Sequence, residues 1–154
     1  MKTGLTSKIP GDYSGQYKDG HLMNNTEAKL SMFQFTNPIV TKWNFNINET
    51  FDKSQNKELP ASVSFRTSVV HDSDTSAFVI LEMKIGKEDD TFPFFLYAEI
   101  QSLFRWEKGI EQDVEELLKL NGTTLLISYL RPMISQFTTY SGFLPFFLPF
   151  IDVR

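Results

Sequence analysis

Cysteine is absent from this sequence, and histidine occurs only at His21 and His71. Without thiols there is no disulfide and no thiolate metal site. The two histidines are dispersed and have no metal-ligand spacing, so they read as solvated side chains of an arm and a turn. No apolar run approaches the ~20 residues of a membrane helix. The first residues lack a basic-then-apolar signal pattern. A cytoplasmic chain without membrane insertion is therefore expected. Basic residues are in deficit, with Lys and Arg numbering 15 against 19 Asp and Glu, for a formal net charge of -4. Phosphate binding needs a basic face, so nucleic acid is not an expected partner. Also missing are a nucleophile elbow, a phosphate-cradling glycine loop and a dinucleotide fingerprint. Asp72 with Asp74, and Glu88-Asp89-Asp90, lie in expected turns without the roughly twelve-residue loop that organises calcium ligands. Glu111, Asp113, Glu115 and Glu116 read as a helix face in water, because a catalytic pair needs burial to shift a pKa. No enzymatic activity, metal or cofactor is expected.

What the chain has in excess is aromatic rings: 15 Phe, 5 Tyr and 2 Trp among 154 residues. That length suits one domain, and 41% hydrophobic residues is enough for a compact core. Rings are large, and a core this small does not hold them all, so some should lie on a surface or in an oligomer interface.

Residues 1–29 are polar and turn-rich, as in Gly11-Asp12-Tyr13-Ser14-Gly15 and Asp19-Gly20. They are expected to form a weakly ordered N-terminal arm, with a single domain over 30–154. From Leu30 the signal is β. A strand to Phe35 is interrupted at Asn37-Pro38 and resumes from Ile39 to Ile47, where Trp43, Phe45 and Ile47 alternate with Asn44 and Asn46. After a polar loop, Val63, Phe65, Thr67 and Val69 alternate with polar neighbours. His71-Asp72-Ser73-Asp74 reads as a turn. The next strand places Val79, Leu81, Met83 and Ile85 on one face. The last, from about Phe92 to Phe104, places Phe94, Leu96, Ala98 and Ile100 together. Short turns imply antiparallel neighbours, because a parallel crossover needs a dozen or more residues.

The period then changes. Glu111 to Leu120 has Val114, Leu117 and Leu118 at helical spacing, with acids in the first turn. Asn121-Gly122 reads as its stop and Thr123 or Thr124 as the cap of a second helix. In that helix Leu126, Tyr129, Leu130, Met133, Phe137 and Tyr140 keep the period to Gly142, and Pro132 is expected to kink it. The tail from Phe143 contains Pro145 and Pro149 and is expected to be extended. The fold class is α+β: a four-stranded antiparallel sheet with a long, Pro-kinked helix on one face. The uncharged run Leu144-Pro145-Phe146-Phe147-Leu148-Pro149-Phe150-Ile151 either covers the core or borders an apolar groove, and both hold if its two faces differ.

The segment Asn121 to Val153 resembles the end of a SecB-type chaperone domain. The features that carry the resemblance are Tyr129-Leu130-Arg131 in a leucine-rich helix, the helix end at Ser141-Gly142, and then Phe143-Leu144-Pro145 and Leu148-Pro149-Phe150. With the strands and their spacing, it covers roughly residues 30–153. The family's export chaperones continue into a second long C-terminal helix, and this sequence ends at Arg154, about where that helix would begin. A short SecB-like variant is therefore expected. The resemblance implies a homo-oligomeric holdase, a dimer or tetramer, that binds unfolded or partly folded polypeptides in apolar grooves. By analogy the groove falls on Phe137, Tyr140, Phe143, Phe146 and Phe147. Acidic residues on the open sheet face of the export chaperones contact the export motor, and the nearest positions here are Glu82 and Glu99. Two other readings stay open: a dedicated interaction adaptor, such as a phage, mobile-element or toxin–antitoxin partner, and a small-molecule-binding α+β domain.

Overall fold

The alternation of apolar and polar residues builds one antiparallel sheet. A computed structural model describes residues 33–52, 62–87, 92–109 and 113–153. Contacts divide the chain into Met1–Leu30 and Ser31–Arg154, and every described residue lies in the second unit. The expected arm over 1–29 therefore lies outside the described residues.

The strands are β1 (Phe33–Phe35), β2 (Ile39–Ile47), β3 (Val63–Ser73), β4 (Ser76–Gly86) and β5 (Phe94–Trp106). β5 pairs with β4, β4 pairs with β3, and both β1 and β2 pair with β5. β1 matches residues 104–106 and β2 matches residues 94–101, so the two lie end to end along one side of β5. The five strands thus occupy four rows. The break falls at 36–38, where Pro38 has no N–H for a ladder bond. The Thr36 carbonyl there accepts a hydrogen bond from the Ser102 hydroxyl at 2.6 Å. One turn differs from expectation: His71 pairs with Ala77 inside β3, and the chain reverses at Asp74-Thr75 beyond a register shift between His71 and Ser73.

Helices cover one sheet face. Asp113 caps the first, accepting a hydrogen bond from the Glu116 amide. The helix runs as α1 (Val114–Leu117), a π-helical turn (Leu118–Gly122) and α2 (Thr123–Tyr140). The expected stop at Asn121-Gly122 does not occur. Gly122 has helical dihedrals, φ -62° and ψ -48°. A Cβ on it would lie 3.0 Å from a Val79 methyl, so the glycine lets the helix approach β4 closely. Nor do the threonines cap a second helix: the Thr123 hydroxyl meets that of Thr67 in β3, and the Thr124 hydroxyl donates to the Leu120 carbonyl. α2 runs through Pro132. Proline leaves the Ser128 carbonyl without its usual amide donor, but Ser128 and Pro132 both lie on the exposed side of the helix, where a carbonyl is open to solvent.

The core lies between α2 and β4–β5. Val79, Leu81, Met83 and Ile85 of β4 and Leu96, Ala98 and Ile100 of β5 meet Leu126, Ile127, Leu130 and Ile134, all buried. Leu118 and, from the tail, Leu148 complete it.

Candidate functional site: an aromatic array at the end of α2

The site begins where α2 ends. Gly142 takes φ +79°, a conformation glycine adopts without strain. The Phe143 amide bonds back to the Thr138 carbonyl and the Gly142 amide to that of Thr139, the hydrogen-bond pair of a Schellman stop. The chain then runs on without regular structure from residue 144 to 153, returning along the helix. Two side chains of α2 hold it there. The buried Thr138 hydroxyl accepts the Phe146 amide at 2.9 Å. The Arg131 guanidinium donates to the carbonyls of Leu148 and Pro149 and lies 5.1 Å from the centre of the Phe150 ring.

A chain of ring contacts crosses this region. Phe137 packs on Trp43 and on Phe45, with centroids 5.1 Å and 5.7 Å apart. Phe45 stacks on Phe94 at 5.2 Å. Phe94 in turn meets Phe143 at 5.9 Å, Phe146 at 5.7 Å and Phe92 at 5.2 Å. β2, β5, the last turns of α2 and the tail thus share one aromatic layer, buried at Phe92 and Phe94 and open at its rim.

The five positions assigned by analogy occupy different parts of it. Phe143 and Phe146 are half-buried and pack on Phe94, so they belong to the floor. Phe137 is 42% exposed and bridges floor and surface. Tyr140 and Phe147 are 77% and 76% exposed, and with Leu144 at 85% and Phe150 at 100% they form an apolar rim. The analogy missed Trp43, Phe45, Phe92 and Phe94. Their period-2 alternation was visible, but their meeting with Phe137 depends on tertiary packing. It also missed Arg131 and Thr138 as the residues that fix the tail.

Glu82 and Glu99 lie elsewhere, side by side on the sheet face away from the helices. Register places Arg66, Glu82, Glu99 and Lys42 in one row across β3, β4, β5 and β2. The Lys42 ammonium donates to Glu99 at 2.7 Å and the Thr41 hydroxyl to its other oxygen at 2.6 Å. These bonds hold the Glu99 carboxyl below its ordinary pKa, and the same carboxylate raises Lys42. The row runs plus, minus, minus, plus, with each carboxylate flanked by a base, so it is not an acidic patch. A second row on this face, Val70, Phe78 and Leu103, is apolar.

No group of His, Asp and Glu able to hold a metal occurs among the described residues. None of their helices is long and apolar enough to cross a membrane.

Comparison with known proteins agrees with this architecture. A protein of Methanocaldococcus jannaschii described as uncharacterised is 24% identical over 122 residues, 78% of this chain and 79% of its own length. Among solved structures, the Mycobacterium tuberculosis SecB-like chaperone, in complex with a peptide from an antitoxin, superposes with a TM-score of 0.63 at 15% identity. The match covers 78% of this chain and 91% of that one. Residues 33–154, which include every element described above, match the family described as preprotein translocase subunit SecB, and the chain belongs to that family.

Proposed function

We propose that this protein is a non-enzymatic polypeptide-binding chaperone, which holds apolar segments of unfolded proteins against the aromatic array. The observation that carries this reading is the rim of Tyr140, Leu144, Phe147 and Phe150, left in water beside a buried aromatic floor. Ring faces and edges make adaptable contacts with little dependence on partner sequence. At roughly 25 cal/mol per Å² of apolar surface buried, a few client side chains give reversible binding. The space between sheet and helix is filled by residues such as Leu81, Met83, Leu126 and Leu130, each at 0% exposure. That filling argues against a small-molecule cavity in that layer.

The test is aggregation of a denatured model protein, followed by light scattering. The wild-type protein in excess is expected to suppress it, and Tyr140→Ser with Phe147→Ser to suppress it several-fold less. Equal suppression by both proteins would sink the assignment of the rim. No suppression by the wild type would sink the chaperone reading.

A second reading has one observation in its favour. The M. tuberculosis relative by fold is a SecB-like chaperone in complex with an antitoxin peptide. On that reading the same array serves one dedicated partner. A pull-down returning a single stoichiometric protein favours the adaptor, and many unrelated clients favour the general chaperone. In either case we infer a homo-oligomer, because apolar side chains stay exposed far from the array, among them Ile39 and Val70. Light scattering that gives a monomer mass at micromolar concentration would remove that inference.

A further inference from the structure

Trp43 contributes a ring to the aromatic floor, and it also carries a polar group. Its Nε1 is buried and has no hydrogen-bond partner among the described residues. A buried N–H without an acceptor is costly, and folded proteins rarely keep one. Phenylalanine at this position would supply a ring without that cost.

The surroundings of the indole indicate what could reach it. Trp43 lies opposite Ala98 of β5, whose small side chain leaves room for the indole on the sheet. The Phe137 ring lies over it at 5.1 Å, tilted 54°. Phe137 stands in the last turns of α2, 42% exposed, with solvent on its other side. A rotation of that ring would open the indole to an occupant of the rim. The indole is a donor only, so it needs an acceptor. Apolar side chains carry none. The one acceptor that every segment of an apolar polypeptide brings is its backbone carbonyl.

We propose that the Trp43 indole N–H is a main-chain contact for bound polypeptide: an extended apolar segment displaces the Phe137 ring and presents a peptide carbonyl to Nε1. The contact fixes the depth and direction of the segment without reading its sequence, while the rings on either side take its side chains. This inference rests on the polypeptide-binding reading above.

The test uses the full chain and a synthetic Leu- and Phe-rich peptide. Two variants remove the N–H: Trp43→Phe, and replacement of Trp43 by benzothienylalanine, which keeps the two-ring shape with sulfur in place of the N–H. Both are expected to bind the peptide roughly fivefold to tenfold more weakly, with a thermal midpoint equal to or above that of the wild type. Peptide affinity unchanged in the benzothienyl variant overturns the proposal. The second measurement is the indole N–H resonance of Trp43, assigned by a Trp106→Phe variant. Peptide should move it downfield, as formation of a hydrogen bond requires. A resonance that stays in place while peptide binds overturns the proposal. So does one that moves with protein concentration alone, since the occupant is then a second copy of the chain. The outcomes separate the two levels. If Tyr140→Ser with Phe147→Ser weakens binding but the Trp43 variants do not, only the main-chain contact fails. If the wild type does not bind the peptide, the polypeptide-binding reading falls and the contact with it.

Discussion

The hydroxyls of Thr67 in β3 and Thr123 at the start of α2 lie 2.8 Å apart. Thr123 is almost wholly buried, so this bond joins helix to sheet in a region of low dielectric. Thr123→Val keeps the shape and leaves the Thr67 hydroxyl without its partner. A loss of about 1 kcal/mol is expected. Thr67→Val with Thr123→Val should cost less than the sum of the two single changes, because the double variant leaves neither hydroxyl behind. Urea denaturation of the four proteins checks this.

Gly122 is helical and touches Val79. Gly122→Ala would gain up to about 1 kcal/mol in helix propensity. Its new methyl, however, would press on a fully buried, stiff β-branched side chain at 3.0 Å. The expected net effect is a loss of about 1 kcal/mol. Adding Val79→Ala should recover part of it. A measured gain in Gly122→Ala alone would mean that β4 and the helix move apart freely.

Thr138 fixes the tail. Thr138→Val leaves the Phe146 amide with no acceptor, and the expected cost is about 1–2 kcal/mol. Limited proteolysis should cut first between Phe146 and Ile151. Thr138→Ser keeps the hydroxyl and should behave much like the wild type. Arg131→Met should also expose the tail, with little change in overall stability.

The Lys42–Glu99 pair gives a pH dependence of known sign. The folded protein lowers the pKa of Glu99, chiefly through the hydrogen bond from Lys42. The contribution is therefore present at neutral pH and is lost as pH falls through the lowered folded value, below the usual carboxylate range. Lys42 is raised by the same partner, so its share persists to alkaline pH and is lost only above the ordinary lysine range. Glu99→Gln should flatten the acid limb of a melting-temperature profile. Lys42 is well exposed, and added salt should shrink the difference.

The sheet was legible because strand periodicity is local. Val79, Leu81, Met83 and Ile85 state their face in sequence, and all are buried. Gly122 and Gly142 were not distinguishable in the same way. Both follow an apolar helical pattern, but only Gly142 reaches positive φ. What keeps Gly122 helical is Val79, distant in sequence. The turn after β3 was misplaced for a related reason, since polar residues at His71 to Ser73 still pair with β4. The candidate site was half visible. Its helix and tail rings stand close together in sequence, whereas Trp43, Phe45 and Phe94 reach them only through the folded sheet. Arg131 was read as part of a motif, but no sequence pattern says that its guanidinium grips Leu148 and Pro149.

The π-helical turn at Leu118–Gly122 comes before all of α2. A π turn closes with i→i+5 bonds, so it takes up about one residue more than an α turn and leaves the faces that follow in place. Deleting one residue from that turn and letting it tighten into ordinary helix should therefore keep Leu126, Leu130 and Ile134 on the sheet and Phe137 against Trp43. A deletion further along α2, where the turns have no residue to spare, would rotate every later side chain by about 100°. The wide turn is thus a reserve of slack between β4 and the aromatic array: it can lose one residue without changing which stripe of α2 points at the sheet.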